Sequence, residues 1–526
     1  MKLNLLLLAA LCASPTLVHG QRDTLVDRYL NTITRQELQG HLEVLAGDAY
    51  EGRETGFKGQ KMAAEYLRNA FASMRIGPVP DWEERGLLAP GYEQPFAVEL
   101  SKPGTLKLEV DGVRQGFMES YFYFSERTEK DLVFSEVVFM GLGENAPTRN
   151  DYANMDVKGK VVLVVEGEGG RVTKGAAPDN AFFSGLTRKI AAATAAGARV
   201  VLFASPNADA MMAEFGHYLT SSRMTLKGKM KDEEAPRNAT QAIIIDQQLA
   251  ERILLKGGIH WKKLAKACRK PGKAIPCALA VRYLPEAQQL QAENVLGYVE
   301  GTDLKDQLVI VTAHYDHIGK DGDEVYNGAD DDGSGTVALL EMAQAFAQAR
   351  AEGHGPRRSL LFMPVSGEEK GLLGSEHYSD HPVFPLESTV ADLNIDMIGR
   401  TDSAHRDSKP YVYVIGSDRL SSDLHRINEE ANTAYVGLEL DYTFNGANDP
   451  NRFYYRSDHY NFARKGVPVI FYFSGVHADY HQPTDEVDRI RFDLLEQRTR
   501  LVCATAWELA NRSERIAVDK AVEKGE

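Results

Sequence analysis

From Asn294 onward the chain keeps one rhythm: short apolar, β-branched runs alternate with longer stretches of helical periodicity. Strands are expected at residues 308–312, 360–365, 393–397, 411–415 and 467–473, with helices at 337–349, 421–434 and 492–511. Apolar runs without polar alternation suit strands buried on both faces, and strands separated by helices return as parallel neighbours. The rhythm therefore confines this region to a layered α/β sheet. Ligands of such sheets sit beyond the carboxyl ends of the strands, so the turns after each strand are where chemistry is sought.

Residues 308–312 run into Ala313-His314-Tyr315-Asp316-His317. A histidine and a carboxylate two residues apart at a strand end project to one side, so Asp316 is expected to fix the ring of His314 while the other nitrogen binds a metal. The next turn is Asn327-Gly328-Ala329-Asp330-Asp331-Asp332-Gly333-Ser334-Gly335. Three consecutive aspartates at a dry helix start repel one another unless cations neutralise them. The alternating Asp-x-Asp-x-Asp spacing of a calcium loop is absent. After residues 360–365 come Ser366-Gly367-Glu368-Glu369-Lys370-Gly371, a glutamate pair able to divide the tasks of metal ligand and general base. Asp396 lies alone in an apolar run, and Asp479-Tyr480-His481-Gln482-Pro483-Thr484-Asp485 supplies a second histidine after the last strand. Two histidines and three carboxylates without cysteine suit zinc, with manganese or cobalt able to substitute.

These motifs, in this order, resemble the co-catalytic zinc exopeptidase family that includes bacterial leucyl aminopeptidases, glutamate carboxypeptidase and glutaminyl cyclase. The resemblance covers most of residues 286–515. It implies a three-layer sandwich around a central mixed, mostly parallel sheet, and two Zn2+ per chain. By that resemblance Asp331 bridges the ions, with His314 and Asp396 on one and Glu369 and His481 on the other. Glu368 is then the general base, Asp316 orients His314, and Tyr480 donates a hydrogen bond to the developing oxyanion. The implied substrate is a peptide with a free N-terminus. Arg456-Ser457-Asp458-His459-Tyr460 also matches a recurring family stretch, in which Asp458 and His459 either line or support the substrate pocket.

The chain of 526 residues exceeds one ordinary core and suits two domains. Residues 21–105 and 285–515 are assigned to a discontinuous peptidase domain, which opens with helices expected at 35–45 and 58–74 around a polar loop at 48–56. Residues 106–284 form a β-rich α+β module, with strands expected at 107–110, 133–139, 161–165, 199–203 and 243–245 and a helix at 188–196. This module resembles the protease-associated domain that many family members carry as an insertion. It holds no cluster of His, Asp and Glu suited to catalysis; residues 227–237 read as solvated surface and 516–526 as a tail.

Residues 1–20 combine Lys2, an apolar run and a small-residue end, the pattern of a secretory leader, so export to a periplasm or outside the cell is expected. The run is too short to span a bilayer, and no later segment is long and apolar enough, so stable membrane insertion is not expected. Leu11 before Cys12 argues against a lipid anchor. Cys268 and Cys277 bracket a Pro- and Gly-containing loop that a disulfide can close, while Cys503 reads as a buried structural thiol. A net charge of -15 argues against nucleic acid as partner. The expected activity is that of an aminopeptidase. The alternatives are a carboxypeptidase or dipeptidase, given Arg400, Arg452 and Arg456, then a glutaminyl cyclase, then a receptor-like protein with a degraded site. Oligomeric state is left open.

Overall fold

The structure, a computed structural model, describes residues 22–125, 130–168, 171–172, 180–228, 240–284, 286–406 and 408–522. The expected leader at 1–20 and most of the charged stretch at 227–237 lie outside them. The chain divides into two compact units, residues 1–97 with 290–526, and residues 98–289.

In the first unit the described residues form a seven-stranded sheet. Its strands are β1 (Gly297–Val299), β2 (Leu304–His314), β3 (Arg358–Val365), β4 (Thr389–Ile395), β5 (Tyr411–Ile415), β6 (Glu439–Asp441) and β7 (Val469–Phe473), in the order β1-β3-β2-β4-β7-β5-β6. The neighbours β3-β2, β2-β4, β4-β7 and β5-β6 are parallel, whereas β1-β3 and β7-β5 are antiparallel. Every residue of β3, β4, β5 and β7 is buried, as expected of strands covered on both faces.

The two-residue strand period splits the core in two. Val309, Val311 and Ala313 of β2 face one cluster with Leu360 and Phe362 of β3, while Leu308 and Ile310 face the other with Leu361 and Met363. The first cluster is covered by helices Arg35–Leu45, Lys58–Ser73, Gly335–Ala351 and Phe492–Asn511. The second is covered by Leu373–Asp380 and His459–Ala463, through Tyr378 and Phe462. The result is the three-layer arrangement with a mixed, mostly parallel sheet. Helix Gly335–Ala351 is buried almost all round because the sheet lies on one side and other helices on the rest. The helix expected at 421–434 is the α-helix Ser422–Ala431 continued by a π-helical turn, Asn432–Val436, with the Ser421 hydroxyl capping it from outside by accepting from Leu424 N at 3.2 Å.

The second unit carries an eight-stranded sheet in which Leu132–Phe139, Val161–Val165, Val200–Ala204 and Gln241–Ile245 run parallel in the middle. It is thus a layered α/β sheet rather than an α+β module, because helix Asn180–Ala195 begins earlier than its sequence pattern suggests and forms a crossover between two parallel strands. Cys268 and Cys277 are both free, buried in the same apolar cluster, and burial pushes each thiol up to about 11. The disulfide that their spacing permits is not formed. Cys503 is buried and free, in helix Phe492–Asn511. Among the described residues no helix is long and apolar enough to cross a membrane.

Candidate metal centre

Strand register brings the first part of the site together. His314, the last residue of β2, pairs with Val365, the last of β3, and Thr312 pairs with Asn394 on β4. Asp396, two residues beyond Asn394, therefore lies level with His314, and the turn holding Glu368 and Glu369 begins just past Val365. His314 Nε2 lies 3.2 Å from Asp331 Oδ1, 3.7 Å from Asp396 Oδ1 and 3.9 Å from Glu368 Oε2. Ser457 Oγ donates to Asp396 Oδ2 at 2.6 Å and accepts from Asn394 Nδ2 at 2.8 Å, so Asp396 is held on one oxygen and presents the other.

The ring of His314 is oriented differently from the sequence expectation. Its Nδ1 lies 3.0 Å from the backbone oxygen of Asp316, and the Asp316 carboxylate is 3.8 Å away. The reason is that β2 ends at His314, so the rule that residues i and i+2 share a side no longer applies at Asp316. The Asp316 carboxylate instead accepts from Thr55 Oγ1 at 2.7 Å and Glu368 N at 3.3 Å, tying together two loops that border the site.

Asp331 sits at the centre. A second group forms on its other oxygen: His481 Nε2 is 3.1 Å from Asp331 Oδ2 and 3.1 Å from Glu369 Oε2, and His317 Nδ1 is 2.7 Å from Glu369 Oε1. His317 was singled out by no spacing rule, although it stands in the same His-Tyr-Asp-His stretch as His314. Burial opposes ionisation of Glu369, yet His317 and His481 hold its carboxyl down at about 2. Glu368 has the opposite bias: burial, aided by the Asp396 and Glu369 carboxylates, lifts it well above the usual range.

The flanking aspartates are neutralised largely by the protein. Asp332 Oδ1 accepts from Gly335 N at 2.8 Å and Met397 N at 3.0 Å. Asp330 Oδ1 accepts from Gly399 N at 2.6 Å, and its Oδ2 faces His477 Nε2 at 3.1 Å. Asp485 Oδ2 accepts from the backbone N–H groups of Asp330 and Asp331 at 3.0 and 3.1 Å, fixing the turn that aims Asp331 inward. Behind it, buried Arg53 donates to four carbonyls, those of Leu45, Tyr315, Asn327 and Gly328, and so clamps the loops before and after the site.

His314 Nε2, Asp331 Oδ2, Glu369 Oε1 and His317 Nδ1 are buried with no hydrogen-bond partner among the described residues. Buried polar atoms are ordinarily partnered. These fall into two convergent sets, His314-Asp331-Asp396 and His317-Asp331-Glu369, whose donor chemistry fits divalent metal. The residues present therefore fit such an ion. Beside them opens a pocket lined by Glu368, Phe453, Arg456, Phe473, Val476 and Tyr480. The Tyr480 ring stacks on that of His481, centroids 3.9 Å apart. Asp458 and His459 are wholly buried, and His459 stacks on Phe471 of the pocket wall, which places it behind the lining. Of the three arginines, Arg400 is engaged with Asp479 at 2.7 Å, and Arg452 lies over the Tyr455 ring at 4.9 Å. Arg456 reaches the pocket over Phe453.

The model for Peptidase family M28 matches residues 294–506. This stretch is similar to that family. Among the curated relatives, Aminopeptidase YwaD of Bacillus subtilis (strain 168) is 29% identical over 235 residues, 43% of this chain and 46% of that protein. Leucine aminopeptidase 1 of Penicillium rubens is 30% identical over 216 residues, 39% of this chain and 53% of that protein. The chain thus spans about half the length of these curated relatives. A solved structure, an aminopeptidase from Aneurinibacillus sp. strain AM-1, superposes with a TM-score of 0.51 at 20% identity, covering 95% of this chain and 98% of that one. That likeness establishes the shared fold.

Proposed function

We propose that the protein is a zinc-dependent exopeptidase, an aminopeptidase, that hydrolyses peptides at a two-ion site centred on Asp331. The observation that carries this is the convergence of two sets of donors on one aspartate, with His314 Nε2, His317 Nδ1, Asp331 Oδ2 and Glu369 Oε1 buried and unpartnered among the described residues, next to a pocket bordered by Glu368. Asp331 would bridge the two ions, His314 and Asp396 would hold one, and Glu369 and His481 the other. When bound, two zinc ions supply Lewis acidity that polarises the scissile carbonyl and lowers the pKa of the attacking water.

The chain's own residues divide the remaining work. Glu368 faces the site but is not needed as a ligand, and its environment favours holding a proton. It takes the proton of the attacking water and passes it to the leaving amine. Tyr480, braced on His481, presents its hydroxyl toward the oxygen that gains charge as the carbonyl becomes tetrahedral. Phe453, Phe473 and Val476 form an apolar wall that takes the side chain of the residue released and keeps water from it. The names of the curated relatives in Bacillus subtilis and Penicillium rubens support an aminopeptidase over the other exopeptidases of this fold. We assign residues 98–289 as the counterpart of a protease-associated insertion.

The test measures amino-acid release from a peptide panel, unblocked and N-acetylated, before and after chelation and with zinc restored. Release from unblocked peptides only, abolished by chelator and recovered with zinc, is expected. Hydrolysis that survives complete removal of metal refutes the zinc mechanism; cleavage of N-acetylated peptides from the other end refutes the aminopeptidase assignment.

A further inference from the structure

Neither the motif resemblance nor the mechanism above gives His317 a task. It is 0% exposed and stands three residues beyond His314, where the chain has left β2 and turned. Its Nδ1 approaches Glu369 Oε1 at 2.7 Å and Asp331 Oδ2 at 3.9 Å. The short approach to Glu369 lacks hydrogen-bond geometry, for His317 Nδ1 and Glu369 Oε1 are both without a hydrogen-bond partner among the described residues, as is Asp331 Oδ2. A ring N–H pointed along this contact would have satisfied both groups. Three buried atoms that carry lone pairs instead face a common centre, within ligand distance of one cation.

We propose that His317 is a metal ligand through Nδ1, at the locus formed by Asp331 and Glu369. The inference rests on the metallopeptidase reading and concerns only how that locus is filled. His481 reaches the same two carboxylates with Nε2, its ring at 68° to that of His317 and its side chain 38% exposed. Asp331, Glu369, His317 and His481 would then supply two nitrogens and two oxygens, a donor set that suits zinc. The other locus has three protein donors, His314, Asp331 and Asp396, and keeps a position for substrate beside Glu368. The two loci would then differ in the protein donors they offer, four at one and three at the other.

The experiment loads the full-length protein with Co2+, one equivalent at a time, and follows visible absorption, proton NMR and metal retained after dialysis. In the wild-type protein the first equivalent is expected to be retained. At two equivalents, hyperfine-shifted ring N–H signals of three histidines are expected, those of His314, His317 and His481. His317→Ala and His317→Gln should lose one of the three signals, alter the spectrum of the first equivalent, and weaken its binding by more than the roughly 10–100-fold expected for losing an outer-shell partner. Melting of the metal-free variants beside metal-free wild type separates loss of metal from loss of fold, and the wild-type signal count needs no variant. Two histidine signals in the wild type, or variants with an unchanged cobalt spectrum, overturn the proposal. A wild-type protein that binds no ion refutes the metallopeptidase reading itself, and this inference with it.

Discussion

Each unit of this molecule has parallel strands with polar residues at their carboxyl ends, yet the two sets of strand ends are chemically unlike. In the unit of residues 98–289, Glu166, Ser205, Asn207 and Asp246 follow three adjacent parallel strands. They satisfy one another or the backbone: Ser205 Oγ donates to Glu166 Oε2, Asn207 Nδ2 donates to Glu166 Oε1 at 3.2 Å, and Asp246 Oδ1 caps a helix by accepting from Leu249 N at 2.6 Å. In the unit of residues 1–97 and 290–526, His314, Asp331 and Glu369 occupy the same topological place and leave ligand atoms without partners. Position at a strand end makes a site available in both units; only unsatisfied donors make it a metal centre. Among the described residues, both groups able to hold an ion lie in that unit.

Four substitutions test that contrast. The largest effect is expected from Glu368→Gln, which removes the proposed proton carrier but no proposed ligand. Turnover should fall by roughly 10²–10⁴-fold with zinc content unchanged, as measured by steady-state hydrolysis and metal analysis. Wild-type turnover in that variant removes Glu368 from the mechanism. Next is Arg53→Met, which strands the four carbonyls that the guanidinium now holds. Chemical denaturation should show a loss of about 3 kcal/mol, accompanied by weaker metal binding as the loops around residues 315 and 328 loosen. An unaltered midpoint means the clamp is idle.

Glu341 sharpens the comparison from another side. Both its oxygens are buried without a hydrogen-bond partner among the described residues, but His41 Nε2 is 3.7 Å from Oε1 and, among the described residues, no donor set converges there. Burial, then the neighbouring Glu37, pushes this carboxyl from 4.5 up to about 8, so it is read as a neutral acid rather than a ligand. The folded state keeps its proton between pH 4.5 and about 8 while the unfolded state releases it. The stability it contributes is therefore complete below pH 4.5 and is lost as pH rises through about 8. Glu341→Gln should flatten that slope and exceed wild type by about 1–2 kcal/mol above pH 8, read from urea unfolding at several pH values. Equal slopes refute the neutral-acid assignment. The smallest effect is expected in the other unit: Glu166→Ala should lower stability by about 1 kcal/mol and leave zinc content untouched. A loss of zinc in that variant breaks the distinction between the two sets of strand ends.

Local sequence carried much of this. The apolar runs of β3, β5 and β7 and the helix Phe492–Asn511 are visible from composition and period, because burial on both faces demands unbroken apolar residues and a helix demands a 3.6-residue stripe. So are the turns bearing His314, Asp331, Glu368, Glu369, Asp396 and His481, since glycine-flanked acids after a strand have few other uses. The sequence by itself thus determined the layered fold and which turns to inspect. The tertiary structure decided what each side chain does within them. Parallel register set Asp396 level with His314, and that pairing spans about eighty positions of chain. Where β2 stops decided that Asp316 meets the His314 ring with its carbonyl rather than its carboxylate, and that His317 turns back toward Glu369. Arg53, Ser457 and Asp485 act across hundreds of residues or from other loops, through hydrogen bonds that no local spacing encodes. Periodicity is a property of neighbours in the chain. A metal centre is a property of neighbours in space, and only the closed fold brings its donors to one point.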